Sequence, residues 1–490
     1  MATQPGAPAA TAAAQAPGLR RGAIGLREVL FQSITDMAPG AAIAASIPAG
    51  AAYAGGALPL SVLVALIACL LSASCVGVLA REMPAAGSLA TYAARGLHPA
   101  AGFLVAWGYV LVGLLISPLV LLQLGFTVAS TINSEFHGYP ANLWWPWSLA
   151  GAVIVLAAGY YGIRTSARLG TILGISEIAV FLVLAVFLLV HAGGHNSGQV
   201  FTTHYSPTGL TGVIGGSVFT LLAFGGFEGA APLAEETRDP RRTIQRAVLL
   251  ATLLIGVLYV FTTYAVDVAF GPKGFAAFAS QTGNASWVGL ARWLYGLFWF
   301  FVFLAIVNST IANANAGVNV STRTAYAMGR IGAFPRFLAI VSPRHRSPVY
   351  SVLVAFVITV AVTLALGLKY NPTVAFAMVG TGLVIVIVAI YILMCAACIG
   401  YFARRPGGFN WLSHLIIPLL GIAAFVPAWL TSAGIKVFSF VTPLAPPLSY
   451  TGPGVAGFMV LGVIYMIYLY WTNPGRITDV GLVHLEGDLG

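Results

Sequence analysis

Apolar stretches of span length recur along the whole chain, separated by short connections that hold most of its arginines. A membrane-crossing helix needs about 20 mostly apolar residues. By that measure twelve segments qualify: 30–54, 57–80, 98–131, 145–163, 169–191, 209–235, 247–270, 287–320, 348–368, 373–402, 410–433 and 451–471. Two of them carry helix breakers near their centres, Ala38-Pro39-Gly40-Ala41 in the first and Phe224-Gly225-Gly226-Phe227 in the sixth. The breaks lie five spans apart. Because five is odd, a repeat beginning at each would enter the membrane from opposite sides. The pattern predicts an all-α integral membrane protein of twelve transmembrane helices, a 5+5 inverted repeat with helices 1 and 6 broken, plus helices 11 and 12. Glycine and proline are common in membrane helices generally. Two breaks in register are what point to a solute site near mid-membrane.

Composition agrees. The chain is 59% hydrophobic and 7% charged, with a mean hydropathy of +0.91, whereas a soluble domain carries about a quarter charged residues. No segment suits a soluble domain, and the longest charged connection, about 323–347, reads as a loop. The expected organisation is a tail over 1–28, one transporter domain over 29–473 and a second tail over 474–490. Within the domain the repeats fall at about 29–195 and 205–403, with helices 11 and 12 in 410–473. Residues 1–19, rich in Ala, Pro, Gly and Gln, read as disordered. The first apolar run has full span length and reads as an anchor that stays.

Charge sets the expected orientation. With a cytoplasmic N-terminus, 19 of the 23 basic residues fall on the inner side, and only Lys273, Arg292, Lys369 and Lys436 fall outside. Both termini are predicted cytoplasmic, in a multi-pass protein of the cell membrane. The net charge of +10 is accounted for by the inner loops, so it calls for no nucleic acid. The expected partners are a small-molecule substrate and the lipid bilayer, and oligomeric state is left open.

Little else suggests chemistry. Cys69, Cys75, Cys395 and Cys398 lie inside predicted spans and read as small packing residues. His191, His195 and His204 share a predicted outer loop at a spacing that fits no standard metal site. No nucleophile–base set, metal centre or nucleotide loop stands out, so the expectation is no catalytic residue, no metal, no cofactor and no enzyme. ATP-driven transport is disfavoured by the lack of a GxxxxGK[ST] motif.

Three motifs resemble those of the amino acid–polyamine–organocation (APC) permeases. They are Ala223-Phe-Gly-Gly-Phe-Glu228 followed by Ala234-Glu-Glu-Thr-Arg-Asp-Pro-Arg-Arg242; Ser321-Thr-Arg-Thr-Ala-Tyr-Ala-Met-Gly-Arg-Ile-Gly-Ala-Phe-Pro335; and Arg81-Glu-Met-Pro-Ala-Ala-Gly-Ser-Leu-Ala-Thr-Tyr92. The resemblance covers spans one to ten. It implies the LeuT-type fold and transport of amino acids or related amines by alternating access. The chain departs from the family at the first break, where Met37-Ala-Pro-Gly-Ala-Ala-Ile43 replaces a glycine-rich stretch. That changes the backbone shape and leaves the substrate's identity open.

On this reading the substrate site is Ala38, Pro39, Gly40, Ala41, Ala42 and Ile43 on the first span with Ala223, Phe224, Gly225, Gly226 and Phe227 on the sixth. A broken helix exposes N–H groups at the start of its second half, and these with the helix dipole favour an anion. Gly40 to Ile43 are placed to offer them to a substrate carboxylate, while carbonyls freed near Gly225 face its ammonium. Phe224 and Phe227 read equally as a gate or as packing.

Glu228 and Glu177 are intramembrane acids, which are functional candidates by default. Both are candidates for proton coupling, with pairing to a cationic substrate or a structural hydrogen bond as the alternatives for Glu228. In one proton-coupled branch of the family a lysine near the position of Glu177 is thought to replace a sodium ion, so the glutamate here is a departure. Asp36 and Asp267 are expected to be wetted. Asn308, Asn315 and Asn319, with Thr322, share one helical face and are polar-pathway candidates or glue between helices. The charged run 235–242 reads as a solvated loop or an ion-pair latch. The coupling ion is expected to be H+, with Na+ open; an exchanger or a sodium symporter is the rival mechanism, and a channel the rival class.

Overall fold

The computed structural model describes residues 24–481 apart from 85–86, 137, 141, 162–166, 281–284, 343–346 and 406–407. The expected disordered tail over 1–19, with Arg20 and Arg21, lies outside the described residues, as do 482–490, Arg164, Arg344 and Arg346. Among the described residues the regular structure is helical, with a single parallel bridge between Ile24 and Thr237. Ten helices are long and apolar enough to cross a membrane. A shorter apolar helix, Trp145–Tyr160, accompanies them.

The helix surfaces show which solvent they were built for. On Pro240–Phe270, Leu250, Leu253, Leu254 and Val257 are 38–54% exposed along one face, while Ala251, Thr252, Ile255 and Tyr259 are buried on the other. A soluble helix would present its polar face outward. Here the outward face is as apolar as the core, as a hydrocarbon solvent requires. The protein is an integral membrane protein.

The first apolar run, Leu26–Glu82, is 57 residues long. As one rod it would reach about 85 Å, far beyond a hydrocarbon core of about 30 Å. Two backbone breaks divide it. Leu26–Met37 ends at Ala38, which adopts φ 46°, ψ 66°. Pro39 then starts a second helical segment, its missing N–H and fixed φ suiting a first helical position. That segment passes through a π-turn at Ala42–Ser46 and ends at Gly55, φ 57°. Gly55 sits against Tyr205 and Pro207, a close approach that only a residue without Cβ permits. The chain then turns into Leu58–Glu82.

Another expected span is also divided. Residues 287–320 were predicted as one helix, but Ala285–Tyr295 stops at Gly296, φ 42°, and Phe298–Arg330 begins a new one. The apolar pattern runs through the interruption because both pieces are apolar, so hydropathy alone misses it.

The long helices pack through small residues. A Cβ on Gly113 of Pro99–Glu135 would stand 2.5 Å from the Ser321 amide nitrogen and 2.7 Å from the Gly317 carbonyl oxygen. The two backbones therefore touch directly, which is how membrane helices gain contact where lipid supplies no hydrophobic drive. Ser117 donates to the Ala314 carbonyl at 2.9 Å across the same seam. At the Leu58–Glu82 and Pro372–Ala403 helix ends, Glu82 pairs with Arg405. All four cysteines are buried and free.

Candidate functional site

Both breaks open on one cavity. Ala38, Ala41, Ala42, Ala223, Gly225 and Gly226 all line it. Three further helices close it through Tyr109 and Gln123, Asn313, and Leu383. The sixth-span break is sharp. Leu210–Phe224 ends where Gly225 turns extended (φ −55°, ψ 129°), and Gly226 follows at φ 111°. A ten-residue 3₁₀ stretch, Phe227–Glu236, continues the chain. Runs of that length are uncommon because 3₁₀ hydrogen bonds are strained, so partners from outside the stretch matter. Ser33 supplies two: its hydroxyl donates to the Phe227 carbonyl at 2.8 Å and accepts from the Ala230 amide at 3.0 Å.

Tyr259 spans the two breaks. Its hydroxyl lies 3.0 Å from the Met37 carbonyl oxygen and 3.1 Å from that of Ala223. One phenol thus touches a carbonyl just before each interruption.

Glu228 lines the cavity and is 2% exposed. Its carboxylate accepts from the Tyr391 hydroxyl at 2.7 Å, from the Gly226 amide at 3.2 Å and, at 3.5 Å, from Tyr109. Asp36 lines the same cavity. It accepts from the Gln32 side chain at 3.0 Å and lies hard against the sixth-span break, where a Cβ on Gly226 would stand 2.6 Å from its backbone. The expectation that Asp36 is wetted is therefore corrected. The residue is 9% exposed, because the fold at Ala38 tucks it under Gly226 and Gly229. Asp267 is corrected likewise: it is fully buried, and neither carboxylate oxygen has a hydrogen-bond partner among the described residues.

Glu177 sits outside the cavity wall, 4% exposed, behind the first break. It accepts from the Gly40 amide at 2.5 Å, from the Ser309 hydroxyl at 2.6 Å and from the Asn308 side chain at 3.2 Å. The Ala41 amide donates to the Ser309 hydroxyl at 3.0 Å, and that of Ala42 to the Ala38 carbonyl at 2.9 Å. Three of the four donors expected to meet a substrate carboxylate, those of Gly40, Ala41 and Ala42, thus already have protein partners.

The remaining expected residues fall away from the wall. Pro39, Gly40 and Ile43 are buried behind it. Phe224 and Phe227, both fully buried, pack on Tyr259 and Tyr391 with ring centroids 5.3 and 4.7 Å apart. Asn315 and Asn319 are half-buried and off the cavity. Asn313, which the helical-face argument passed over, is the asparagine that lines it and donates to the Asp36 carbonyl at 2.5 Å. Gln123 was also passed over. A lone amide in the middle of an apolar span was the available signal.

Among the described residues no group of three His, Cys, Asp or Glu gathers as metal ligands would. His191 packs edge-on against Trp293, and the side chain of His195 lies outside the described residues. In the 235–242 run, the side chains of Glu235 and Glu236 are likewise outside, while the Arg238 amide donates to the Ile24 carbonyl at 2.9 Å.

Tyr391 holds Glu228 by the shorter of its two phenol contacts, and a hydrogen bond to a charged group contributes about 1.5–3 kcal/mol. Tyr391→Phe is expected to slow solute uptake about tenfold or more, with Tyr109→Phe milder because its contact is long. Uptake rates of the two variants in one vesicle preparation check the order.

Comparison with known proteins adds an independent line. The chain is 26% identical over 388 residues to the low-affinity putrescine importer PlaP of Escherichia coli, covering 76% of this chain and 80% of the importer. It is 29% identical over 480 residues to the uncharacterized transporter Rv1999c of Mycobacterium tuberculosis, covering 96% of this chain and 97% of that protein. It is 27% identical over 315 residues to the branched-chain amino acid permease BcaP of Bacillus subtilis, covering 61% and 65%. The amino acid permease model matches residues 28–474, nearly the whole chain. With two interrupted helices around one buried acidic cavity, the chain belongs to the amino acid permease family, a family of membrane transporters and not of enzymes.

Proposed function

We propose that the chain is a twelve-span secondary active permease that moves amino acids or related small organic amines across the cell membrane by alternating access, driven by protons. The twelve spans are the ten long helices, with the first counted as two because it folds back at Gly55, plus Trp145–Tyr160. Spans one to five and six to ten form the inverted repeat of a LeuT-type fold, within a transporter domain over 29–473. Both termini face the cytoplasm, as the basic residues favour.

The observation that carries this reading is the meeting of the two breaks at one cavity with Glu228 in its wall. Irregular backbone within a membrane is stable only where protein or a cavity surrounds it, and secondary transporters bind solute at such points. The residues around the breaks, Ala38, Ala41, Ala42, Ala223, Gly225 and Gly226, form the substrate-facing wall. Glu228 carries the coupling proton, because its site is closed and its donors are hydroxyls and an amide that can serve either protonation state. Glu177 is the second proton candidate.

Purified protein in liposomes tests the proposal with a panel of amino acids and amines, each assayed with and without an acid-outside gradient and with sodium replaced. Saturable uptake raised by the gradient is expected. Uptake that needs sodium, or runs only as one-for-one exchange, replaces proton symport by the corresponding mechanism. Currents that do not saturate with solute make the protein a channel.

A further inference from the structure

An amino acid brings two charges to its binding site, and this cavity is furnished for one of them. The backbone donors that the first break would offer to a carboxylate at Gly40, Ala41 and Ala42 are engaged. Pro39 has none. The Gly40 amide is held by Glu177, that of Ala41 by Ser309 and that of Ala42 by Ala38. The acid at Gly40 is the protein's own, bound through three donors on two other helices. At the sixth break, the Gly226 amide is turned onto Glu228.

The wall offers acceptors instead. Asp36 and Glu228 both line the cavity, and no lysine or arginine does among the described residues. Arg323, on the same helix as Asn313, is exposed and lies off the cavity. A third acceptor is an independent sign that a donor belongs there. Gln123 lines the cavity, is 1% exposed, and gives its side-chain N–H to the Ala41 carbonyl at 2.8 Å. A carbonyl can only accept, so this contact fixes which end of the amide is which. The Gln123 carbonyl oxygen is left buried with no hydrogen-bond partner among the described residues. An unsatisfied buried acceptor is costly, and a ligand N–H would remove that cost. A carboxylate in the same place would face two acids and, among the described residues, no lysine or arginine, a built-in rejection.

We infer that the preferred solute is an organic ammonium without a carboxylate, received by Asp36, Glu228 and the Gln123 carbonyl, with Glu177 occupying the anion position that an amino acid's carboxylate would need. The inference rests on the permease reading and narrows its substrate class.

The test uses matched pairs that differ by one carboxylate: 3-methylbutylamine against leucine, phenethylamine against phenylalanine, putrescine against ornithine. Each is measured as KM for uptake, or as an inhibition constant, with the full chain in liposomes. The amine is expected to win by at least about tenfold in the pairs that are transported. Amino acids that match or beat their amines in every pair overturn the inference and leave the permease reading standing. No response to either member of any pair overturns the permease reading as well.

Glu177→Ala releases the Gly40 amide, while that of Ala41 stays on Ser309, and is expected to narrow the amine preference by about tenfold, chiefly by improving amino acid binding. An unchanged ratio in folded Glu177→Ala protein overturns the role given to Glu177. If that variant does not fold, Gln123→Leu decides. A rise of about tenfold in amine KM supports the wall described here, and an unchanged KM overturns it.

Discussion

Glu228→Gln is expected to lose proton-driven accumulation altogether while the protein stays folded and still exchanges solute. Glutamine keeps the volume and one carbonyl oxygen, so the Tyr391 hydroxyl at 2.7 Å retains an acceptor. What disappears is the site where a proton can be taken up and released. A gradient of one pH unit holds about 1.4 kcal/mol per proton, enough for a one-proton symporter to concentrate solute about tenfold. The wild type should approach that ratio with acid outside, and the variant should stop near equal concentrations. Exchange of labelled for unlabelled solute moves no net proton. It should persist, at higher solute concentration because one wall carboxylate has been neutralised. A variant that still accumulates solute normally against the gradient would remove Glu228 from the coupling and leave Glu177 to be tested alone.

The second large effect belongs to a single methyl group. In Gly226→Ala the new Cβ would lie 2.6 Å from the backbone carbon and oxygen of Asp36, at a residue whose φ is 111°. A side chain there is strained in itself, by about 1–3 kcal/mol. The colliding atoms are main chain, so relief requires the first span to move. Uptake should fall to background, and the melting temperature in detergent should drop. Gly225→Ala is the control one residue away. Its φ is −55°, and its nearest neighbour would be the Leu222 carbonyl at 3.3 Å. It should keep a melting temperature near that of the wild type. Equal damage from both would mean that the contact with Asp36 is not what the glycine protects.

The contrast shows what sequence could resolve. Gly225-Gly226 marks a break, but nothing in the pair says which glycine lacks room for a side chain, because that depends on where the first span crosses. The breaks themselves were legible, since proline and paired glycines act on the local backbone. Glu228 and Glu177 were legible as acids in apolar surroundings. Their roles diverge, one in the wall and one behind it, for a reason invisible along the chain: each helix's rotation about its axis is set by its neighbours. The same rotation selects Asn313 over Asn308, Asn315 and Asn319. Seven-, four- and three-residue spacings grouped the others correctly on one face, but the cavity meets a different one. Asp36 is buried because the turn at Ala38 brings it against Gly226 and Gly229, a contact that no spacing along the chain reveals.

The hydroxyl of Tyr259 reaches two carbonyls but owns one hydrogen, so at any instant a single acceptor is fully served. When either half-helix swings aside, the hydrogen settles on the one that remains and no bond is forfeited outright. A rocking movement that parts the two segments is thereby cheaper than severing a private contact would be. Were the two segments to part, as the proposed alternating access requires, the tyrosine would let them leave in turn with one still moored.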